Sequence, residues 1–143
     1  EKGLVYSVRS RNESSFNFGS IYISCPIDKD KLQEVLDTVC LELRRISEKG
    51  PSPGELQLVK NRILKSINIR MQTSEDWVWF HYYQNLFFPE NVWTIEDYLS
   101  SFGNVTVEDV RKVAEKYFTK DNWYLAFAGP VDDKIINSIK ISL

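Results

Sequence analysis

The sequence predicts an α+β domain, a two-layer sandwich in which an antiparallel-rich sheet is covered on one face by several helices. Three observations lead there. Apolar residues alternate in steps of two near the N-terminus and again just before Gly129-Pro130, the signature of strands. Between these ends they recur at three- and four-residue steps, the signature of helices. Ser or Thr followed three residues later by an acid recurs at 52, 73, 94 and 106, each time ahead of a helical pattern.

In chain order, Leu4, Tyr6 and Val8 read as one strand, Arg9 to Ser15 as a polar turn, and Phe16 and Phe18 as the start of a second strand. The apolar phase slips at Gly19 and resumes at Ile21, Ile23 and Cys25, which predicts a bulge or bend at that glycine. Leu32, Val35, Leu36, Val39, Leu43 and Ile46 predict an amphipathic helix ended by Gly50-Pro51. Ser52-Pro53-Gly54-Glu55 opens the next helix, with a stripe of Leu56, Val59, Ile63 and Ile67. Its Lys60, Arg62, Lys65 and Arg70 read as solvated surface.

Thr73 starts a segment with Trp77, Trp79, Phe80, Tyr82, Tyr83, Leu86 and Phe87, apolar on nearly every side, so the helix is expected to pack on several faces or against another domain. Thr94 and Thr106 open a short and a longer helix, the latter carrying Val110, Val113, Ala114 and Tyr117. Trp123 to Ala128 reads as a final strand and Val131 to Leu143 as a terminal helix. No repeat or linker divides residues 1–143, which are expected to form a single domain.

The composition narrows function. Of the 143 residues, 43% are hydrophobic and 13% aromatic, ample apolar surface for a folded, soluble domain. A formal charge of −2 gives no footprint for nucleic acid, and no run approaches the roughly 18 apolar residues of a membrane span. The two cysteines, Cys25 and Cys40, lack metal-site spacing; they fit free thiols in a reducing compartment better than a disulfide, which sequence leaves open. Asn12 and Asn104 each head a glycosylation tripeptide with no secretory leader, and a cytoplasmic location is expected, with an organelle or periplasm fitting if a leader was lost.

One histidine restricts the chemistry further. His81-Tyr-Tyr-Gln-Asn places Gln84 and Asn85 where a helical zinc motif needs a glutamate and a second histidine, so His81 reads as a packed helix residue. No nucleophile elbow or phosphate loop is present, and Glu75/Asp76 and Asp132/Asp133 fall at helix starts, where capping explains them. Residue types and spacing alone therefore yield a domain without an independent active site.

The opening Glu-Lys-Gly-Leu-Val-Tyr-Ser-Val resembles the Arg-Glu-x-x-Gly-Leu-x-Tyr-Ser-Val segment of the pitrilysin/insulinase-type (M16) zinc metallopeptidases and mitochondrial processing peptidases. Matching features follow in order: the Lys31 to Gly50 helix, Gly-Pro-Ser-Pro-Gly-Glu-Leu at 50–56 with Lys60 and Arg62 behind it, Val-Thr-Val-Glu-Asp-Val at 105–110, Val-Ala-Glu-Lys-Tyr-Phe at 113–118, and the strand ending at Gly129-Pro130. The chain resembles the C-terminal domain of that family, which has no zinc ligands; the zinc, held by His-x-x-Glu-His and a further Glu, belongs to a partner domain in cis or in another subunit. The resemblance thus implies no cofactor in this chain and zinc in the partner, with a peptide as substrate. It also implies that Tyr6 falls on the family's tyrosine that reaches the scissile carbonyl, where a phenol donor stabilises the developing oxyanion. That tyrosine works with an arginine several residues earlier, a place ahead of Glu1, and Arg9 and Arg11 lie on the wrong side of Tyr6 to replace it.

The expectation is therefore a piece of a longer metallopeptidase, inactive and free of stoichiometric zinc by itself. The alternative is a non-catalytic M16-like subunit or scaffold for peptide binding or assembly; a third reading is an unrelated module that docks a partner through residues 77–88.

Overall fold

The structure, a computed structural model, describes residues 3–15, 17–130 and 132–141, and the backbone alone at Asn68. The expected strand position of Phe16, the helix start at Val131 and its end at Leu143 lie outside the described residues. The elements are β1 (Arg9–Ser14), β2 (Gly19–Ser24), α1 (Leu32–Lys49), α2 (Pro53–Arg70), α3 (Ser74–Phe87), α4 (Ile95–Asn104), α5 (Val107–Tyr117) and α6 (Asp133–Ser138), with short 3-10 turns at Lys29–Lys31 and Lys120–Asn122. The fold class is α+β, as the periodicity predicts, with helices dominant.

Internal contacts divide the chain into two compact units, Glu1–Glu48 with Ala114–Leu143, and Lys49–Val113. In the first, β1 and β2 form an antiparallel hairpin with Arg9 opposite Ser24 and Ser14 opposite Gly19. Strand β1 occupies the residues expected to turn, and the expected strand at Leu4–Val8 is not formed. The register explains the shift: β2 (Gly-Ser-Ile-Tyr-Ile-Ser) supplies the β-formers, and its backbone pairs with the segment just ahead of it in the chain, here the polar Arg-Ser-Arg-Asn-Glu-Ser. Gly19 opens β2 in continuous register, so the expected bulge is absent.

Buried residues of the first unit lie on one stripe of α1, Leu32, Val35, Leu36, Cys40 and Leu43, together with Ala114. Val39 and Ile46, expected in that stripe, are half-buried. The expected strand Trp123–Ala128 carries no ladder. Its side chains alternate as a strand's would, with Trp123, Leu125 and Phe127 half-buried, but among the described residues β1 and β2 pair only with each other, and alternation without a partner edge leaves an extended segment. The terminal helix is also shorter than expected, ending at Ser138.

The second unit holds α2 to α4 and the first turns of α5. Its helix starts follow the sequence closely. Ser52 and Glu55 form a reciprocal capping box, the Ser52 N–H donating to Glu55 Oε2 at 2.7 Å and the Glu55 N–H to Ser52 Oγ at 3.2 Å. Thr73 with Asp76, Thr94 with Asp97 and Thr106 with Asp109 repeat the arrangement. The inward face of α2 is Leu56, Lys60, Ile63 and Ile67, whereas Val59 is exposed. Lys60 is thus not merely solvated surface: its Nζ donates to Gly103 O at 2.7 Å, satisfying a carbonyl at the negative end of α4.

Helix α3 departs most from expectation. It has no buried residue, and Trp77, Val78, Trp79, Tyr82, Tyr83 and Leu86 are exposed, so within this chain it does not pack on several sides. Phe80, Gln84 and Phe87 are half-buried; the Phe80 ring meets Tyr98 of α4 edge-on at 6.0 Å, and Gln84 Oε1 accepts the Trp93 N–H at 2.7 Å.

Candidate functional site

The residues that could act on a substrate gather where the chain enters and leaves the hairpin. Tyr6 lies three residues ahead of β1, at a bend rather than on a strand, and is 101% exposed. No hydrogen bond engages its hydroxyl among the described residues. The phenol is therefore available as donor or acceptor, and the backbone beneath it has no ladder to fix it.

Next to it, Ser7, Arg9, Ser24, Cys25 and Pro26 line an open cleft of about 370 Å³. Pairing of Arg9 with Ser24 brings its two walls together. Its donors are two hydroxyls and a guanidinium, with a half-buried thiol at Cys25. This set can donate to carbonyl oxygens of an extended chain, since Arg presents several N–H groups and Ser one each. Sequence reasoning set Arg9 aside because it follows Tyr6; folding places it on the cleft that begins with the very next residue, Ser7.

His81 is remote from this chemistry in kind. Its ring stacks on Trp77 at 6.2 Å and meets the Phe80 ring edge-on at 5.1 Å, as the surrounding sequence suggests, but it is exposed rather than packed. Among the described residues no three His, Cys, Asp or Glu side chains come together in a way that could hold a metal ion. The donors present thus do not fit the zinc that the resemblance attaches to the family, and no step is assigned to a metal in this chain. Both cysteines are free, Cys40 being buried in α1.

The acids at helix starts are capping groups. Hydrogen bonds from Thr73, first from its hydroxyl and then its N–H, hold the Asp76 carboxyl below its ordinary value of 3.8. The Thr94 N–H and then its hydroxyl do the same for Asp97, and the Thr106 hydroxyl and then its N–H for Asp109. The Arg111 guanidinium, hydrogen-bonded to Glu108, likewise lowers that carboxyl. These shifts stabilise the charged form of the four helix-start carboxyls. No helix among the described residues is long and apolar enough to cross a membrane.

No curated protein matches the chain. Residues 1–63 match the family model described as the peptidase M16 inactive domain. The matched span holds Tyr6, the hairpin, the cleft, all of α1 and the first part of α2. The match covers under half of the 143 residues, and over that span the chain is similar to the inactive domain of the M16 peptidases.

Proposed function

We propose that residues 1–143 form one M16 C-terminal-type domain, a piece of a larger zinc metallopeptidase, that walls the peptide chamber and lends Tyr6 to hydrolysis on a separate zinc-bearing domain in cis or in a partner subunit. The observation that carries this reading is the position of Tyr6 within the family match, with its phenol fully exposed and free of any partner among the described residues. At the scissile carbonyl the phenol O–H donates to the oxygen as negative charge develops there, an interaction stronger in the transition state than in the ground state. The cleft donors at Ser7, Arg9 and Ser24 hold carbonyl groups of the peptide nearby. Two free thiols suit a reducing compartment such as the cytoplasm.

The test is Tyr6→Phe in the full-length protein or in a complex with its zinc-bearing partner. It removes one oxygen from a fully exposed side chain, so folding is unchanged, and kcat for peptide cleavage falls by about 10²–10³-fold. Cleavage at the unaltered rate refutes the role.

A second reading, a non-catalytic scaffold of the same ancestry, is favoured by one observation. Trp79, Tyr82 and Tyr83 form an exposed cluster of rings with centroids 5.6–5.7 Å apart, a surface suited to assembly. A full-length protein that cleaves no peptide, and whose assembly fails on Trp79→Ala while the monomer stays folded, selects that reading.

A further inference from the structure

Within the first unit, one surface side chain holds the end of the described chain. Gln33, in the first turn of α1, donates an N–H to Lys140 O at 2.8 Å, and its Oε1 accepts the Lys140 N–H at 3.0 Å. The primary amide therefore exchanges two hydrogen bonds with one residue's backbone, as a neighbouring strand would. The other N–H of the same amide donates to Asp37 Oδ1 at 2.8 Å, one helical turn on. That third bond fixes which way the amide faces: turned over, it would aim its oxygen at a carboxylate and its NH2 at the Lys140 N–H. Asp37 thus positions Gln33, and Gln33 holds Lys140.

The held segment has little else of its own. α6 spans six residues, and Ile139 beyond it is already extended. Ile135, Ile139 and Ile141 are half-buried, and none of the segment's described residues is buried. The strip of α1 behind the clasp, by contrast, is the buried core of the unit.

We infer that residues 132–141 are a strap that opens as a unit of its own, latched to the start of α1 by the Asp37–Gln33–Lys140 clasp. Both latch bonds lie at the surface, where a hydrogen bond has a small net worth, while α1 is anchored by five buried side chains. The strap therefore releases without unfolding the helix that holds it.

Residue-resolved amide exchange on the chain tests this. In the wild type the Lys140 amide is protected. Gln33→Ala speeds its exchange roughly ten- to hundred-fold, the factor supplied by two hydrogen bonds of ordinary strength. The amides of Ile136, in α6, and of Ile139, just beyond it, follow, and α1 amides from Val35 onward keep their wild-type rates. Gln33→Glu loses both donors and sets a second carboxylate against Asp37 and the Lys140 carbonyl, so it accelerates exchange at least as much and serves as the reading if the alanine variant fails to fold. An unprotected Lys140 amide in the wild type, or one unmoved by both variants, overturns the clasp. Acceleration spread equally through α1 overturns the strap as a separate unit.

Discussion

Gly50 and Gly54 stand four residues apart, and the structure assigns them opposite responses to the same substitution. Gly50 follows α1 with φ of +72°, the left-handed residue that closes a helix by accepting a conformation L side chains avoid. A Cβ built there would lie 2.7 Å from Val107 Cγ1 and 3.0 Å from Val107 O, well inside the roughly 3.5–4.0 Å at which carbon atoms attract. Gly50→Ala therefore incurs about 1–2 kcal/mol for the left-handed backbone and about 1–3 kcal/mol for overpacking against Val107. The sum is about 3 kcal/mol, which for a chain of this length lowers the melting midpoint by about 10 °C. Gly54, in the first turn of α2, has open space where its Cβ would be. Gly54→Ala there stabilises by about 0.5–1 kcal/mol, mostly by restricting the unfolded chain. Urea unfolding followed by far-UV circular dichroism compares both variants with the wild type. A Gly50→Ala variant within about 0.5 kcal/mol of wild type, or a shift of both variants in the same direction, refutes the packing argument.

Three further outcomes follow from particular atoms. Ser20 Oγ is buried with no hydrogen-bond partner among the described residues, so Ser20→Ala raises stability by about 1 kcal/mol; a loss of stability in urea unfolding would mean the hydroxyl is paired. The carboxyls of Asp76, Asp97 and Asp109 are lowered in the folded state, so their contribution is complete above the ordinary 3.8 and disappears as pH falls through the lower folded values. Unfolding midpoints measured from pH 6 down to pH 2 should decline in that acid window, and the triple Asn variant should show a flatter profile there. Cys25 is half-buried and Cys40 is 2% exposed, so a thiol reagent labels Cys25 first in the native protein and both at equal rates in urea, as read by mass spectrometry.

What the sequence made legible was local chemistry. The four capping pairs at Ser52, Thr73, Thr94 and Thr106 fix helix starts through bonds between residues three apart, so no distant partner is needed to see them. Strands were misplaced because pairing is a property of two segments. Trp123–Ala128 shows the alternation of a strand and Arg9–Ser14 does not, yet the latter pairs with β2 and the former pairs with no strand among the described residues. Lys60 shows a further limit: its charge suggested solvent, while its long stem lets it lie on the inward face of α2 and deliver the ammonium to Gly103 O. Tyr6 was legible as a candidate only through resemblance, and its setting was not. A half-buried strand residue was the ordinary reading of its alternation with Leu4 and Val8.

That mistake about Tyr6 bears on the proposal itself. Strand placement would have given the phenol a rigid mount, whereas the structure leaves it at a bend, fully exposed and unpaired. A donor to a developing oxyanion stabilises it only when held within a fraction of an ångström of that oxygen, and an unheld donor loses conformational freedom each time it engages. Nothing within the described residues immobilises this ring, so under the proposed role the ordering must come from the partner domain and the bound peptide. Tyr6 in the isolated chain should then show side-chain mobility like that of any exposed residue, and become rigid only on assembly. Fluorotyrosine NMR at this position reads both states. A ring already rigid in the isolated chain would place its mount within this domain.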